Sequence, residues 1–299
     1  MLECVPNFSE GKDTAVVREI VAAIESAPGV LLLGWESDAD HNRSVVTFAG
    51  SVDAVVEAAV RGAGKAAERI DLSRHQGQHP RVGAADVIPF VPLDGSPMSD
   101  AAAAAHRAGE EIWRRFGVPV YFYEAAARGT EREPARKRLE KVRRPGFDGA
   151  PPDIGTIAAH PTAGAVMCGA RGFLIAYNAD LETPDVEIAR SIARRIRESS
   201  GGFRGVKSIG LFLESRRCAQ VSMNLTDFAS TPLDQVMVVI DEEAARLGTR
   251  VSSCELIGFI PRRAFEQSPA FFRRAANFDE SRVIETRISQ LQHQLLHSK

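Results

Sequence analysis

The sequence predicts an α/β (α+β) protein made of two βαββαβ subdomains packed across a ligand cleft. Three observations predict it. Apolar residues recur at helical spacing in some stretches and form short strand-length runs in others. The order β-α-β-β-α-β that results occurs once in each half of the chain. The 299 residues, 44% of them hydrophobic, supply apolar material for one large or two medium domains with real cores.

The elements follow in chain order. Leu2–Val5 reads as a short strand ending in Pro6-Asn7-Phe8-Ser9-Glu10-Gly11. Between Thr14 and Ala27, the residues Val16, Val17, Ile20, Val21 and Ile24 lie on one helical face, and Pro28-Gly29 stops the helix. Val30–Trp35 and Arg43–Phe48 are strands joined by the turn Asp38-Ala39-Asp40-His41-Asn42. Ser51 caps a helix over Val52–Ile70. The apolar run Val87–Val91 closes the first unit, and a helix (Ser99–Phe116) and a strand (Val118–Tyr123) follow it. In the second half Phe173–Tyr177 is a strand, and Thr183 caps a helix from Pro184 to about Glu198. Val206–Leu213 and Cys218–Leu225 make a hairpin across Glu214–Arg217. Thr231 caps Leu233–Leu247, which ends at Gly248, and Arg250–Phe259 is the last strand.

Each βαββαβ unit is a ferredoxin-like arrangement, with helices on one sheet face and the other face left for packing or a ligand. The expected organisation is an N-terminal subdomain over 1–172, a C-terminal subdomain over 173–265 and a helical tail over 266–299. Glu131–Arg144 reads as a solvated basic and acidic helix, and the loop from Pro145 to Pro152 follows it. Gly155–Arg171 is rich in Gly, Ala and Thr. That composition suits either a flexible crossover or a segment whose backbone approaches a ligand closely.

Composition narrows the function. A formal net charge of -2 argues against nucleic-acid binding by bulk electrostatics. No apolar run is long enough for a membrane span, and no signal peptide is visible, so the expected compartment is the cytoplasm. Cys4, Cys168, Cys218 and Cys254 are far apart, as reduced thiols would be. Gly62-Ala63-Gly64-Lys65 resembles a P-loop but lacks its leading glycine and its Ser/Thr, and it lies within a helical pattern. No G-x-G-x-x-G follows a strand, and no G-x-S-x-G is present.

Ser73–Pro92 carries the chemistry. It places His75, His79, Arg74, Arg81 and Asp86 on a stretch that Gly77 and Pro80 keep from being helical. The i, i+4 spacing of the histidines therefore does not make a helical metal site, and no third ligand follows at metal spacing. A general acid/base histidine just ahead of a strand is the economical reading.

Several longer stretches resemble the glutamate formimidoyltransferase family. They are Glu3–Gly11, Asp38–Val45, His75–Asp86, Gly169–Asn178, Gln220–Phe228 and Glu255–Pro261. The similarity spans Glu3 to about Pro261, and the cyclodeaminase domain fused to this part in animal members is not expected here. The resemblance implies transfer of the formimino group from N-formimino-L-glutamate to N5 of tetrahydrofolate, in histidine breakdown. It implies two α/β subdomains with a folate tunnel, a homodimer, and tetrahydrofolate as co-substrate with no metal. It places the catalytic histidine on His79. It places the folate-contacting loop on Gly155, Thr156, Ile157, Ala158, Ala159, His160, Pro161, Thr162, Ala163 and Gly164. The animal pattern differs in that loop, and the connector before it is shorter here. Asp38, Asp40 or Glu36 suits the cationic formimino group, or else the segment is simply a turn built from Asp and Asn; Asn42 is a further substrate-binding candidate, and Arg43 and Arg81 suit substrate carboxylates. Two alternatives stand beside this reading: ATP-dependent 5-formyltetrahydrofolate cyclo-ligase activity, and a non-enzymatic folate-binding protein.

Overall fold

Pro6 has no N–H to give a ladder, and the first strand breaks there into β1 (Leu2–Cys4) and β2 (Asn7–Phe8). The computed structural model describes residues 1–75, 81–93, 95–128 and 151–297. Its contacts divide the chain into two units, Met1–Gly172 and Phe173–Lys299.

The first unit continues with α1 (Thr14–Glu25), β3 (Leu31–Asp38), β4 (Arg43–Gly50), α2 (Val52–Arg69), β5 (Ala85–Pro92), α3 (Met98–Phe116), β6 (Val120–Glu124) and β7 (Val166–Ala170). β1 and β2 both lie between β4 and β5, and β3 pairs with the far side of β4. These pairings are antiparallel, whereas β5–β7 and β6–β7 are parallel. One sheet face packs on the helices through Leu2, Phe8, Ile20, Ile24, Phe48, Val55, Ile88, Phe90 and Phe122. Asp13 and Ser51 cap α1 and α2 by accepting from first-turn amides.

Two features differ from the sequence reading. β7 is a strand where the Gly/Ala/Thr-rich composition suggested a crossover or a ligand loop. It is inserted between β5 and β6, so its five residues are wholly buried and show no alternation to read. β3 also runs three residues further than expected, because Glu36, Ser37 and Asp38 pair with Val45, Ser44 and Arg43. Gly62 and Gly64 lie inside α2, as the helical pattern required. A Cβ on Gly62 would come within 2.7 Å of Ile24, and one on Gly64 within 2.2 Å of the Phe116 ring. Those glycines serve close packing between helices.

The second unit holds β8 (Ile175–Leu181), α4 (Val186–Ile196), β9 (Val206–Leu213), β10 (Cys218–Leu225), α5 (Leu233–Arg246) and β11 (Val251–Ile257). Its sheet has the order β11-β8-β10-β9, antiparallel throughout. Asp185, rather than Thr183, caps α4. The Thr231 hydroxyl donates to the Arg204 carbonyl instead of capping α5. Three further helices, α6 (Arg262–Gln267), α7 (Pro269–Phe272) and α8 (Ile284–His297), complete the chain. Phe272, Ala275 and Val283 belong to the same apolar core as Tyr177, Leu181, Ile192 and Met237. The Tyr177 hydroxyl donates to the Phe271 carbonyl at 2.7 Å. Among the described residues no helix is long and apolar enough to cross a membrane.

Phe272 has no exposed surface and stacks among Tyr177, Phe265 and Phe278. Phe272→Ala is expected to lower stability by about 3–5 kcal/mol in urea unfolding. A loss below about 1 kcal/mol would show that the residues after Pro261 are not part of this core.

Candidate active site

The turn between β3 and β4 is built on Asn42. Its backbone takes φ of 49°, a left-handed conformation that Asn tolerates better than most residues. Its buried side-chain oxygen accepts from the amides of Gly11 at 3.0 Å and Lys12 at 3.3 Å. The loop before α1 is thereby fastened to the turn. Asp38 holds its neighbour twice: Oδ1 accepts from the His41 amide at 2.8 Å, and Oδ2 lies 3.0 Å from His41 Nδ1. Burial pushes the Asp38 carboxyl up, but the hydrogen bonds from the His41 ring and amide outweigh that and hold it below its usual value. His41 is raised, first by its hydrogen bond to Asp38, against the effect of burial.

Arg43 and Asp86 meet at the centre of the sheet. Asp86 is fully buried at a bulge in β5: Asn7 faces Val87 while Phe8 faces Ala85. Its Oδ2 accepts from Arg43 Nη1 at 2.8 Å, and its Oδ1 accepts from the Val82 amide at 2.8 Å. Arg43 Nε donates to Asn7 Oδ1 at 3.0 Å, and Asn7 Nδ2 donates to the Val5 carbonyl at 3.1 Å. A buried carboxylate is stable when paired and hydrogen-bonded in this way. Ser9 adds a tie to the same stretch, with its hydroxyl donating to the Gly83 carbonyl at 2.7 Å. The Arg81 guanidinium contacts the His75 ring. Burial lowers the Arg81 value, and the Asp86 charge works in the opposite direction.

The segment 160–164 docks beside this stretch by backbone bonds. The amide of Leu72 donates to the Thr162 carbonyl at 2.8 Å, that of Ala84 to Ala163 at 2.9 Å, and that of Ala165 to Val82 at 2.9 Å. The approach leaves no room for side chains at its middle. A Cβ on Gly83 would lie 1.9 Å from the Ala165 oxygen, and Gly164 has φ of +69° with the Val82 oxygen 2.2 Å from its Cβ position. His160 closes the segment on itself. Its Nδ1 accepts from the Ala163 amide at 3.0 Å, and its backbone exchanges two hydrogen bonds with Gly164. Residues 155–159 are exposed, with Ile157 at 74%.

The structure thus brings together Asn42, Arg43, Arg81, Asp86, His75 and the 160–164 segment, all in the first unit. Glu36 and Asp38 lie on β3 opposite Val45 and Arg43, two residues apart and so on one sheet face. His79 lies outside the described residues, as do Gln76, Gly77, Gln78 and Pro80. Their flanks are Leu72–His75 and Arg81–Ala84, and the 160–164 segment bonds to both. Asp86 was singled out in the polar stretch ahead of the strand but given no role, and His41 was not among the site candidates from sequence. The signal for Asp86 was a single acid at the head of an apolar strand. Among the described residues no three His, Cys, Asp or Glu side chains gather as a metal site would require.

Comparison with known proteins gives consistent relatives over the whole length. A family model described as the formiminotransferase domain, N-terminal subdomain, matches residues 1–171, and one described as the formiminotransferase domain matches residues 176–297. The glutamate formimidoyltransferase of Streptococcus pyogenes serotype M1 is 40% identical over 293 residues, covering 95% of this chain and 97% of the relative. That of Thermoplasma acidophilum is 39% identical over 301 residues, covering 97% and 98%. The formimidoyltransferase-cyclodeaminase of Gallus gallus is 40% identical over 287 residues, covering 91% of this chain and 52% of that longer protein.

Asp86→Ala removes the carboxylate that pairs with the nearly buried Arg43 guanidinium, and is expected to cost about 3–5 kcal/mol in urea unfolding. The Asp38–His41 pair has a pH signature. A histidine raised in the fold stabilises it below the unfolded value of about 6.5, and that contribution is lost as pH rises through the folded value. A lowered aspartate stabilises above about 3.8, and its contribution is lost as pH falls through the folded value. Wild type should therefore exceed His41→Gln in urea midpoint most between about pH 4 and about pH 6.5, with the gap closing on the alkaline side. A gap independent of pH would assign His41 to packing.

Proposed function

The chain belongs to the formiminotransferase family, and from that premise we propose that it transfers the formimino group of N-formimino-L-glutamate to N5 of tetrahydrofolate. The products are 5-formiminotetrahydrofolate and L-glutamate. N5 attacks the formimino carbon, a tetrahedral intermediate forms, and the C–N bond to glutamate breaks. N5 loses a proton and the leaving nitrogen gains one. In this reading His79 does both, first as base and then as acid, since imidazole titrates near neutral pH. Binding both substrates side by side supplies much of the remaining acceleration.

One observation carries the assignment of the site. The 160–164 part of the proposed folate loop is hydrogen-bonded to both flanks of the stretch that contains His79. A folate held by residues 155–164 would be held next to that histidine's loop. The charges nearby support the donor side of the reaction. Glu36, Asp38 and Asp40 are anions for the cationic formimino group, and Asn42 fixes their turn. Arg43 and Arg81 are the cations for the carboxylates of formiminoglutamate. Arg43 is already oriented by Asp86 and Asn7, so little of its side-chain freedom is left to lose on binding.

The test is direct: purified protein with tetrahydrofolate and formiminoglutamate, followed by the absorbance of the folate product. His79→Ala is expected to lower kcat by roughly 10²–10⁴ with folinic acid binding retained. His75→Ala should lose less. Wild-type turnover by His79→Ala would overturn the histidine's role. Arg43→Lys should raise KM for formiminoglutamate more than it lowers kcat, because lysine cannot reproduce the guanidinium fork. Turnover of 5-formyltetrahydrofolate with ATP, in the absence of formimino transfer, would replace this reading with the cyclo-ligase one.

A further inference from the structure

The two edges of the second unit's sheet are finished differently. Along β11 the Asn277 side chain donates to the Leu256 carbonyl at 2.7 Å and accepts from the Leu256 amide at 3.0 Å, and the Ala276 amide donates to the Cys254 carbonyl at 2.9 Å. The chain after α7 thus covers that edge. β9 forms the other edge and pairs, among the described residues, with β10 alone. The Thr226 amide donates to the Gly205 carbonyl at 2.8 Å, and an unbroken register carries this alternation along the strand. Lys207, Ile209, Leu211 and Leu213 therefore bond to β10, while Ser208, Gly210 and Phe212 turn their N–H and C=O groups outward. None of these outward groups has a hydrogen-bond partner among the described residues.

Edge strands are usually blunted by a proline, a bulge or short length. β9 runs for eight residues with neither proline nor bulge, and Ile209 on it is 49% exposed. Helix α4 crosses the strand at Gly210, where a Cβ would lie 2.3 Å from the Arg190 nitrogen. The crossing sets Arg190, Arg194 and Arg197, which share one face of α4, beside the edge, and they line one groove with Ile209 and Gly210. Their charge is only partly neutralised. Arg190 pairs with Glu187 at 2.5 Å, and Arg197 Nε donates to Ser200 Oγ at 2.7 Å. Arg194 makes no side-chain hydrogen bond or ion pair among the described residues. Exposed Lys207 adds a cation on the strand itself, and the Glu198 carboxylate is engaged by the Gly205 amide at 3.1 Å.

We propose that the free edge of β9 accepts an extended acidic segment of another protein as an added strand. The outward backbone groups of Ser208, Gly210 and Phe212 supply the main-chain hydrogen bonds, and side chains alternating along the added strand supply the choice of sequence. Carboxylates on its helix side meet Arg190, Arg194 and Arg197, and apolar residues on its other side lie beside Ile209. Charge selects this occupant over a second copy. Two chains paired through β9 would bring two sets of these arginines together, and like charges side by side are unfavourable. A compact anion would engage the arginines and leave the backbone groups unpaired. None of these residues belongs to the proposed transfer site.

The full-length protein is titrated into a fluorescein-labelled peptide of alternating glutamate and valine, capped at both ends, and anisotropy is read. A lysine–valine peptide and a glutamate–valine peptide N-methylated at every second residue, along one edge, serve as comparisons. Saturable binding of the glutamate–valine peptide is expected, with each comparison peptide weaker by about tenfold or more. Arg194→Glu should weaken the glutamate–valine peptide about tenfold, the size of an exposed attraction turned into a repulsion. Its melting temperature and its formimino transfer should match wild type, which separates lost binding from lost fold. Sedimentation should show the protein's own mass unchanged by the peptide. No saturable binding by wild type, equal affinity for the methylated peptide, or wild-type affinity in Arg194→Glu would each overturn the proposal. A peptide that splits a dimer would assign the edge to a second copy and overturn it as well.

Discussion

A carboxylate with no exposed surface organises the first unit. Asp86 sits at a bulge, where the ladder between β2 and β5 skips a residue and leaves its side chain in the interior. An anion there persists only with strong partners, and it has them in the Arg43 guanidinium and the Val82 amide. Arg43 in turn holds Asn7, and Asn7 holds the Val5 carbonyl across the Pro6 break. Three segments distant in sequence, the broken first strand, the start of β4 and the start of β5, are fixed to one another by a single chain of hydrogen bonds. The geometry of the Asp38–Arg43 turn follows, because Arg43 begins β4 and cannot move without uncovering Asp86.

The second constraint is backbone against backbone. Segment 160–164 is held beside residues 82–84 by main-chain bonds, and the spacing excludes a Cβ at Gly83 or Gly164. Such docking leaves the neighbouring side chains little structural duty. Only small side chains fit there: Ala163 is buried in the apolar core of the first unit. The 155–159 stretch before it is exposed, with Gly155 against the Trp113 ring and the Ala158 carbonyl accepting from the Thr156 hydroxyl.

The sequence was legible where periodicity was strong. Val16, Val17, Ile20, Val21 and Ile24 mark α1 and are all buried on one face, and Val206–Leu213 and Cys218–Leu225 are strands with the bounds their composition suggested. It was opaque where tertiary placement overrode local signals. β7 has no alternation because both of its faces are covered, and β8 starts two residues later and runs four residues further than expected, carrying Asn178 and Asp180 into the sheet. For the site, the turn around Asn42 and the loop leading to Asp86 stood out as clusters of polar residues on short connections. The burial of Asp86 was not legible, since an acid before an apolar run ordinarily reads as a loop residue. Only the bulge, a property of two strands together, turns it inward.

The two sheets place their strands in the same sequence across the ladder, with β3-β4-β1/β2-β5 in one matching β9-β10-β8-β11 in the other. Apart from β6 and β7, which extend the first sheet alone, the two units differ in what their helix-free faces carry. The first presents ions: Glu36, Asp38 and Arg43, with Asp86 behind them. The second carries Asn178, Gln220 and Ser222 beside the Asp180–Arg216–Glu255 cluster, with Lys207 and Ile209 on its edge strand. Charged faces recognise charged groups and pay a desolvation penalty for neutral ones, whereas uncommitted amides discriminate by the pattern of donors and acceptors.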